Sequence, residues 1–217
     1  MSSIKPIRDP KTDHLLTPEN SALLVIDYQP IQVHSITSMD RQKLVENISN
    51  VCRIAKGFNV PIVLTTVNVA TGLNTPTIPQ IKKVLPDQPE IDRTSINSWE
   101  DKDFQEAVKA LGRKKLVICA LWTEACLSFP ALDLLKEGYE VYTIVDAVGG
   151  TSEVAHEIAL RRMEQAGSPS EPPLRNIFVN CKGTGSVRRL FLCLSRDCWI
   201  MVLSSLRPLR NDMSEGL

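Results

Sequence analysis

Residues 114–150 read KKLVICALWTEACLSFPALDLLKEGYEVYTIVDAVGG. The first part, KKLVICALW (114–122), is a continuous apolar run of strand length. CLSFPALDLLKEG (126–138) spaces its apolar residues as a helix does, and YEVYTIVDAVGG (139–150) is a second apolar run. Strands that are apolar without alternation are buried on both faces. Two of them joined through a helix predict parallel strands covered by helices.

Outward from this unit the same grammar repeats. SALLVIDYQ (21–29) and NVPIVLTTVN (59–68) are two more buried-strand candidates. DRQKLVENISNVCRIAKGF (40–58) places Leu44, Ile48, Val51, Ile54 and Ala55 on one helical face, with Gly57 at the exit. EDKDFQEAVKALG (100–112) and SEVAHEIALRRMEQAG (152–167) read as helices too. The expected fold class is therefore α/β, three layers α/β/α, with a largely parallel doubly wound sheet. No internal repeat is visible.

With 217 residues, one domain with a substantial core is expected. Lys plus Arg number 25 and Asp plus Glu number 25, a formal net charge of zero. That balance argues against nucleic acid as a partner. No apolar run has the length to span a bilayer, and the polar start MSSIKPIRDPKTDHLLTPEN does not read as a secretory leader. No membrane partner and a cytoplasmic location are expected. The cysteines, at 52, 119, 126, 181, 193 and 198, form neither CxxC pairs nor a compact secreted framework, so reduced thiols are expected.

The composition changes near residue 168. From Ser168 to Leu217 there is neither Ala nor Tyr, and SPSEPP punctuates the join. We therefore divide the chain into a domain at 1–167 and an atypical C-terminal tail at 168–217. Two apolar runs in the tail, LFLCL and CWIMVL, have no convincing period and read as a strand or a poorly packed helix. Cys181, Cys193 and Cys198 have no ligand spacing.

In an open parallel sheet, ligands bind beyond the carboxyl ends of the strands. Asp27 ends the first strand, and Cys126 follows the third candidate strand and opens the next helix, so both face one crevice. A Cys near a helix N-terminus has its thiolate stabilised by free backbone N–H groups, a nearby cation adds to this, and a carboxylate can accept its proton. The cation we nominate is Arg93, in the polar loop PEIDRTSINSW. Other readings stand beside these. Cys126 can be a buried core thiol, as Cys52 and Cys119 are read; Asp27 can be a strand-end turn residue; Arg93 can be a surface charge. Asn97, Trp99 and His34 are candidate pocket residues, Trp99 equally an anchor for its loop. His156, on an amphipathic helix, is read as solvated.

LLVIDYQ, DRTSINSWED and ICALWTEACLSFPALDLLKEGYEVYTIVDAVGG together resemble the isochorismatase-like cysteine hydrolases, in their YcaC-related branch, over residues 20–167. The resemblance implies the isochorismatase-like hydrolase fold and a catalytic triad of Asp27, Arg93 and Cys126. It implies an oxyanion hole from the backbone N–H groups of Trp122 and Cys126, with a cis peptide between Leu121 and Trp122. It implies a cofactor-free hydrolase cleaving a small amide or related C–N bond through a Cys thioester, and a homo-oligomer. Gln29, His34, Asn97, Trp99 and Thr123 are the candidate substrate pocket. Arg93 stands where amidases such as nicotinamidases carry Lys, and the metal motif of those enzymes, Asp and His separated by one residue, is missing, so no catalytic metal is expected.

The tail departs from the family, which continues with further sheet and helix and a Glu-Leu-Gln-Arg-Asp-Trp-like stretch. VNCKGTG (179–185) can be encoded so that the reading begun at the third base yields that hexapeptide. We read the C-terminus as frameshifted or alternatively spliced, with the last elements of the fold missing or replaced. The competing functional expectation is a catalytically silent or poorly folded variant that retains only assembly contacts.

Overall fold

The computed structural model describes residues 9–168 together with the backbone of the short strands at 170–171, 182–183 and 186–187. In chain order the elements are β1 (Ser21–Ile26), α1 (Pro30–Ser35), α2 (Arg41–Gly57), β2 (Ile62–Val67), α3 (Pro79–Val84) and β3 (Glu90–Arg93). They continue with α4 (Lys102–Ala110), β4 (Lys115–Ala120), α5 (Ser128–Lys136), β5 (Glu140–Ile144), α6 (Glu153–Gln165) and β6 (Ser170–Glu171). A separate antiparallel pair joins β7 (Lys182–Gly183) to β8 (Ser186–Val187).

The main sheet runs β3-β2-β1-β4-β5-β6, parallel at every pairing. This is the doubly wound order, in which the connections reverse direction between β1 and β4 and open a crevice at their carboxyl ends. The two strands at that switch are buried at all six positions each, which is why they read as unbroken apolar runs. Asp40 caps α2 by accepting from the Lys43 N–H at 2.8 Å, and the helix buries Leu44, Ile48, Val51, Cys52 and Ala55. Full burial of each large aliphatic there stabilises the fold by about 1.5–3 kcal/mol.

The four expected strands and four expected helices are present. A further strand, β3, stands where the sequence reads as a polar loop. Its sequence is Glu-Ile-Asp-Arg, and at the sheet edge it pairs only with β2, so no apolar run marks it. The run at 139–150 is strand only to Ile144; beyond it Gly149 bridges to Leu121 and closes the loop over the end of β4. The apolar runs of the tail and its three cysteines lie outside the residues described, as does VNCKGTG apart from the backbone of Lys182–Gly183. Among the described residues, no helix is long and apolar enough to cross a membrane.

Candidate active site

Three strand ends converge. Asp27 directly follows β1 with φ of 60°, a conformation unusual for a residue with a Cβ. Its own N–H donates to Thr65 O at 3.0 Å, which keeps it joined to β2. Arg93 is the last residue of β3, and its side chain crosses the end of β2 to reach Asp27. Nη1 and Nη2 donate to Oδ1 and Oδ2 at 2.7 Å each. The same nitrogens donate to Thr66 O at 2.9 Å and Ile96 O at 3.1 Å, so the fork is held on both sides. Both side chains have no exposed surface. Burial opposes the guanidinium charge, but the hydrogen bonds and charge of Asp27 outweigh it and raise the Arg93 pKa above its ordinary value.

Cys126 enters from the other side of the switch. After β4 the Leu121–Trp122 peptide is cis, as expected, and Thr123–Leu127 form one π-helical turn that leads directly into α5. The wide turn is seen in the Leu127 N–H, which donates to Trp122 O at 3.1 Å. Cys126, 4% exposed, lies in this turn near enough to Asp27 and to the Trp122 N–H for both to act on its thiol. Burial, then the charge and hydrogen bond of Asp27, push its pKa up to about 12, against Arg93 and the Trp122 N–H. The sequence suggested a stabilised thiolate. The structure holds a neutral thiol beside a carboxylate able to take its proton, because burial and the Asp27 charge outweigh the donors.

The structure thus brings Asp27, Arg93, Cys126 and Trp122 together. Gln29, fully buried, is engaged elsewhere: Nε2 donates to Val67 O and Thr75 O at 3.0 and 2.7 Å, and Oε1 accepts from Val67 N–H at 3.0 Å. It ties the loop after β2 to the start of α1. Thr123 is buried, its N–H donating to Gly149 O at 2.9 Å. His34 is exposed, its Nδ1 within 2.7 Å of Pro30 O. Asn97 donates to Asp133 at 2.8 Å, and the Trp99 indole donates to Glu137 at 2.8 Å while its ring meets Phe104 and Tyr139 edge-on. Both residues therefore anchor the loop after β3 to α5.

Sequence reasoning missed two neighbours. His156, read as solvated, is half-buried, and its Nδ1 lies 2.8 Å from Thr123 Oγ1 at the head of the π-turn. Burial lowers its pKa, against the charges of Glu124 and Glu157. Ser35 accepts from the Trp122 indole at 2.5 Å. Neither carries a sequence signal, since helical periodicity gives a face and not a partner. Among the described residues, no cluster of three or more His, Cys, Asp or Glu has the arrangement to hold a metal.

Residues 21–170 match the isochorismatase domain family. The probable hydrolase YcaC of Escherichia coli (strain K12) is 38% identical over 154 residues, covering 70% of this chain and 74% of the relative. The structure of E. coli YcaC, described as an octameric hydrolase of unknown specificity, superposes with a TM-score of 0.69 at 37% identity over 74% of this chain and 78% of that one. YcaC from Pseudomonas aeruginosa, solved with hexane-2,5-diol and covalent acrylamide, gives a TM-score of 0.69 at 34% identity over 74% and 79% of the two chains.

Proposed function

The chain belongs to the isochorismatase family of hydrolases, and from that premise we propose that Cys126 is the nucleophile of an amide or related C–N bond hydrolase. The observation that carries the proposal is Cys126 set beside Asp27, whose charge acts directly on the thiol and whose carboxylate is gripped by both arms of Arg93.

As the sulfur attacks the substrate carbonyl carbon, its proton passes to Asp27. The C–N bond then breaks, Asp27 returns the proton to the departing nitrogen, and a thioester on Cys126 remains. Water hydrolyses that thioester, with Asp27 taking the water proton and giving it to the sulfur. Arg93 offsets the carboxylate charge and fixes its direction; its pKa, above that of any step here, keeps it out of proton transfer. The Trp122 N–H, which already acts on the thiol in the resting site, and the Cys126 N–H are assigned to the developing oxyanion. No step of this scheme calls on a metal or cofactor.

The covalent acrylamide of the P. aeruginosa relative supports the reading of a reactive, amide-accessible site. The octameric E. coli relative supports a homo-oligomer for this chain. Cys52, Cys119 and Cys126 are free thiols, which supports a reducing, cytoplasmic compartment. Turnover of a panel of small primary amides, with acyl-enzyme trapped by acid quench and located by peptide mass spectrometry, tests the function. An adduct on Cys126 and loss of turnover in Cys126→Ala are expected; a panel on which native protein and variant behave alike would sink the proposal.

A further inference from the structure

The polar side chains of Gln29, Trp122 and Thr123 are engaged inside the protein. Gln29 holds Val67 and Thr75, the Trp122 indole holds Ser35, and the Thr123 hydroxyl meets His156. Asp27 and Arg93 satisfy one another. They are also the two charges that shift the Cys126 thiol, and they are opposite in sign. With the thiol protonated, the reacting centre carries no net charge. One donor is left over: Arg93 Nε–H is buried without a hydrogen-bond partner. A single N–H suits one acceptor oxygen, but a carboxylate stripped of water needs several donors or an unpaired cation.

Three aliphatic side chains are exposed among the residues that follow the carboxyl ends of β1, β2 and β3. Ile31 follows β1, Leu73 follows β2 and Ile96 follows β3, exposed by 52%, 74% and 60%. These segments are tied to one another and to the site. Asn74 Nδ2 donates to Gln32 Oε1 at 3.2 Å, Ile78 N–H to Tyr28 O at 2.8 Å, and Ile96 O accepts from Arg93.

We infer that the Cys126 site selects small uncharged amides carrying an aliphatic group and excludes carboxylate-bearing analogues. The inference rests on Cys126 as nucleophile and deepens that reading by naming the substrate class. An entering carboxylate gives up its hydration, finds the Arg93 guanidinium already held by Asp27, and meets the Asp27 charge beside the sulfur. A neutral amide loses less on entry, and its alkyl group covers Leu73 and Ile96.

The test uses the whole chain and needs no turnover. Rate constants for alkylation of Cys126 by iodoacetamide, N-butyl iodoacetamide and iodoacetate are read by peptide mass spectrometry, each divided by the rate for free cysteine at the same pH. The corrected iodoacetate rate should be on the order of 100-fold below that of iodoacetamide. The N-butyl reagent should be about tenfold faster than iodoacetamide, an advantage lost in a Leu73→Ser, Ile96→Ser double variant that keeps the discrimination against iodoacetate. Corrected rates that are equal, a faster iodoacetate, or a Cys126 inert to all three would overturn the inference. A protein that hydrolyses a carboxylate-bearing amide as fast as its neutral counterpart loses the substrate class and keeps the hydrolase reading. One that turns over nothing yet discriminates among the alkylating reagents does the reverse.

Discussion

Arg93 closes on Asp27 through two contacts of 2.7 Å, between side chains with no exposed surface. Removing one partner strands the other as a buried charge, so Asp27→Ala and Arg93→Ala should each cost about 3–5 kcal/mol. The double variant Asp27→Asn, Arg93→Met removes both charges and should cost less than either single change. Urea unfolding of the three variants checks this, and single-variant losses near zero would show that the pair does not hold the strand ends together.

Cys126, pushed up to about 12, is a thiol at neutral pH. In the unfolded chain it titrates near 9.0, so as pH rises the unfolded state loses its proton first. The stability from holding it neutral is complete below pH 9 and is lost between pH 9 and 12, about 1.4 kcal/mol being gone by pH 10. Cys52, also at about 12, adds a loss of the same sign. Urea midpoints at pH 7 and pH 10 should therefore converge in Cys126→Ser relative to the native chain; an unchanged gap between them would contradict the buried-thiol assignment. The alkylation rate of Cys126 should also climb to pH 10 without a plateau, since a plateau near neutrality belongs to a preformed thiolate.

The sheet was legible because both-face burial leaves its mark on sequence: Ser21–Ile26 and Lys115–Ala120 are buried throughout and read as strands. Arg93 was found as a residue and misplaced as structure. An edge strand of four, three of them charged, looks like a loop until the pairing with β2 is seen. Asp27 and Cys126 could be assigned to one crevice because the carboxyl ends of parallel strands point one way. The state of the thiol was not legible: it depends on burial and on the charge of a residue 99 positions earlier. Asn97 and Trp99 show the same limit, since side chains reaching α5 look in sequence like side chains near Arg93.

Gln29 makes three buried or part-buried hydrogen bonds to backbone, two to Val67 at the end of β2 and one to Thr75 in the loop that follows. Gln29→Leu keeps the volume and leaves Val67 N–H, Val67 O and Thr75 O without those partners. A loss of about 2–4 kcal/mol is expected, with faster amide hydrogen exchange concentrated at 67–76. Exchange that rises uniformly instead would mean that Gln29 supports the whole sheet and not this loop.

Gly150 marks where α6 presses on the Cys126 turn. A Cβ there would lie 2.7 Å from Glu124 Oε2 and 3.2 Å from His156 Cα. The side chain of Glu124 cannot retreat freely, because its Oε1 accepts from both Thr151 N–H and Thr151 Oγ1 at 2.9 and 2.6 Å. Gly150→Ala should therefore move Glu124 and His156 together, at a cost of about 1–3 kcal/mol, and disturb the Thr123–His156 contact at the head of the turn. We expect His156→Ala to slow Cys126 alkylation about threefold to tenfold and His156→Asn to recover part of it, since Asn retains polar atoms for Thr123. The native rate, corrected for the thiolate fraction, should fall on the acid side as His156 gains a proton below its ordinary 6.5, a limb that His156→Ala removes. Burial opposes that proton while Glu124 and Glu157 favour it, so the sign follows from burial being the larger effect. An acid limb that persists in His156→Ala would place the titration elsewhere and reduce His156 to a packing residue of α6.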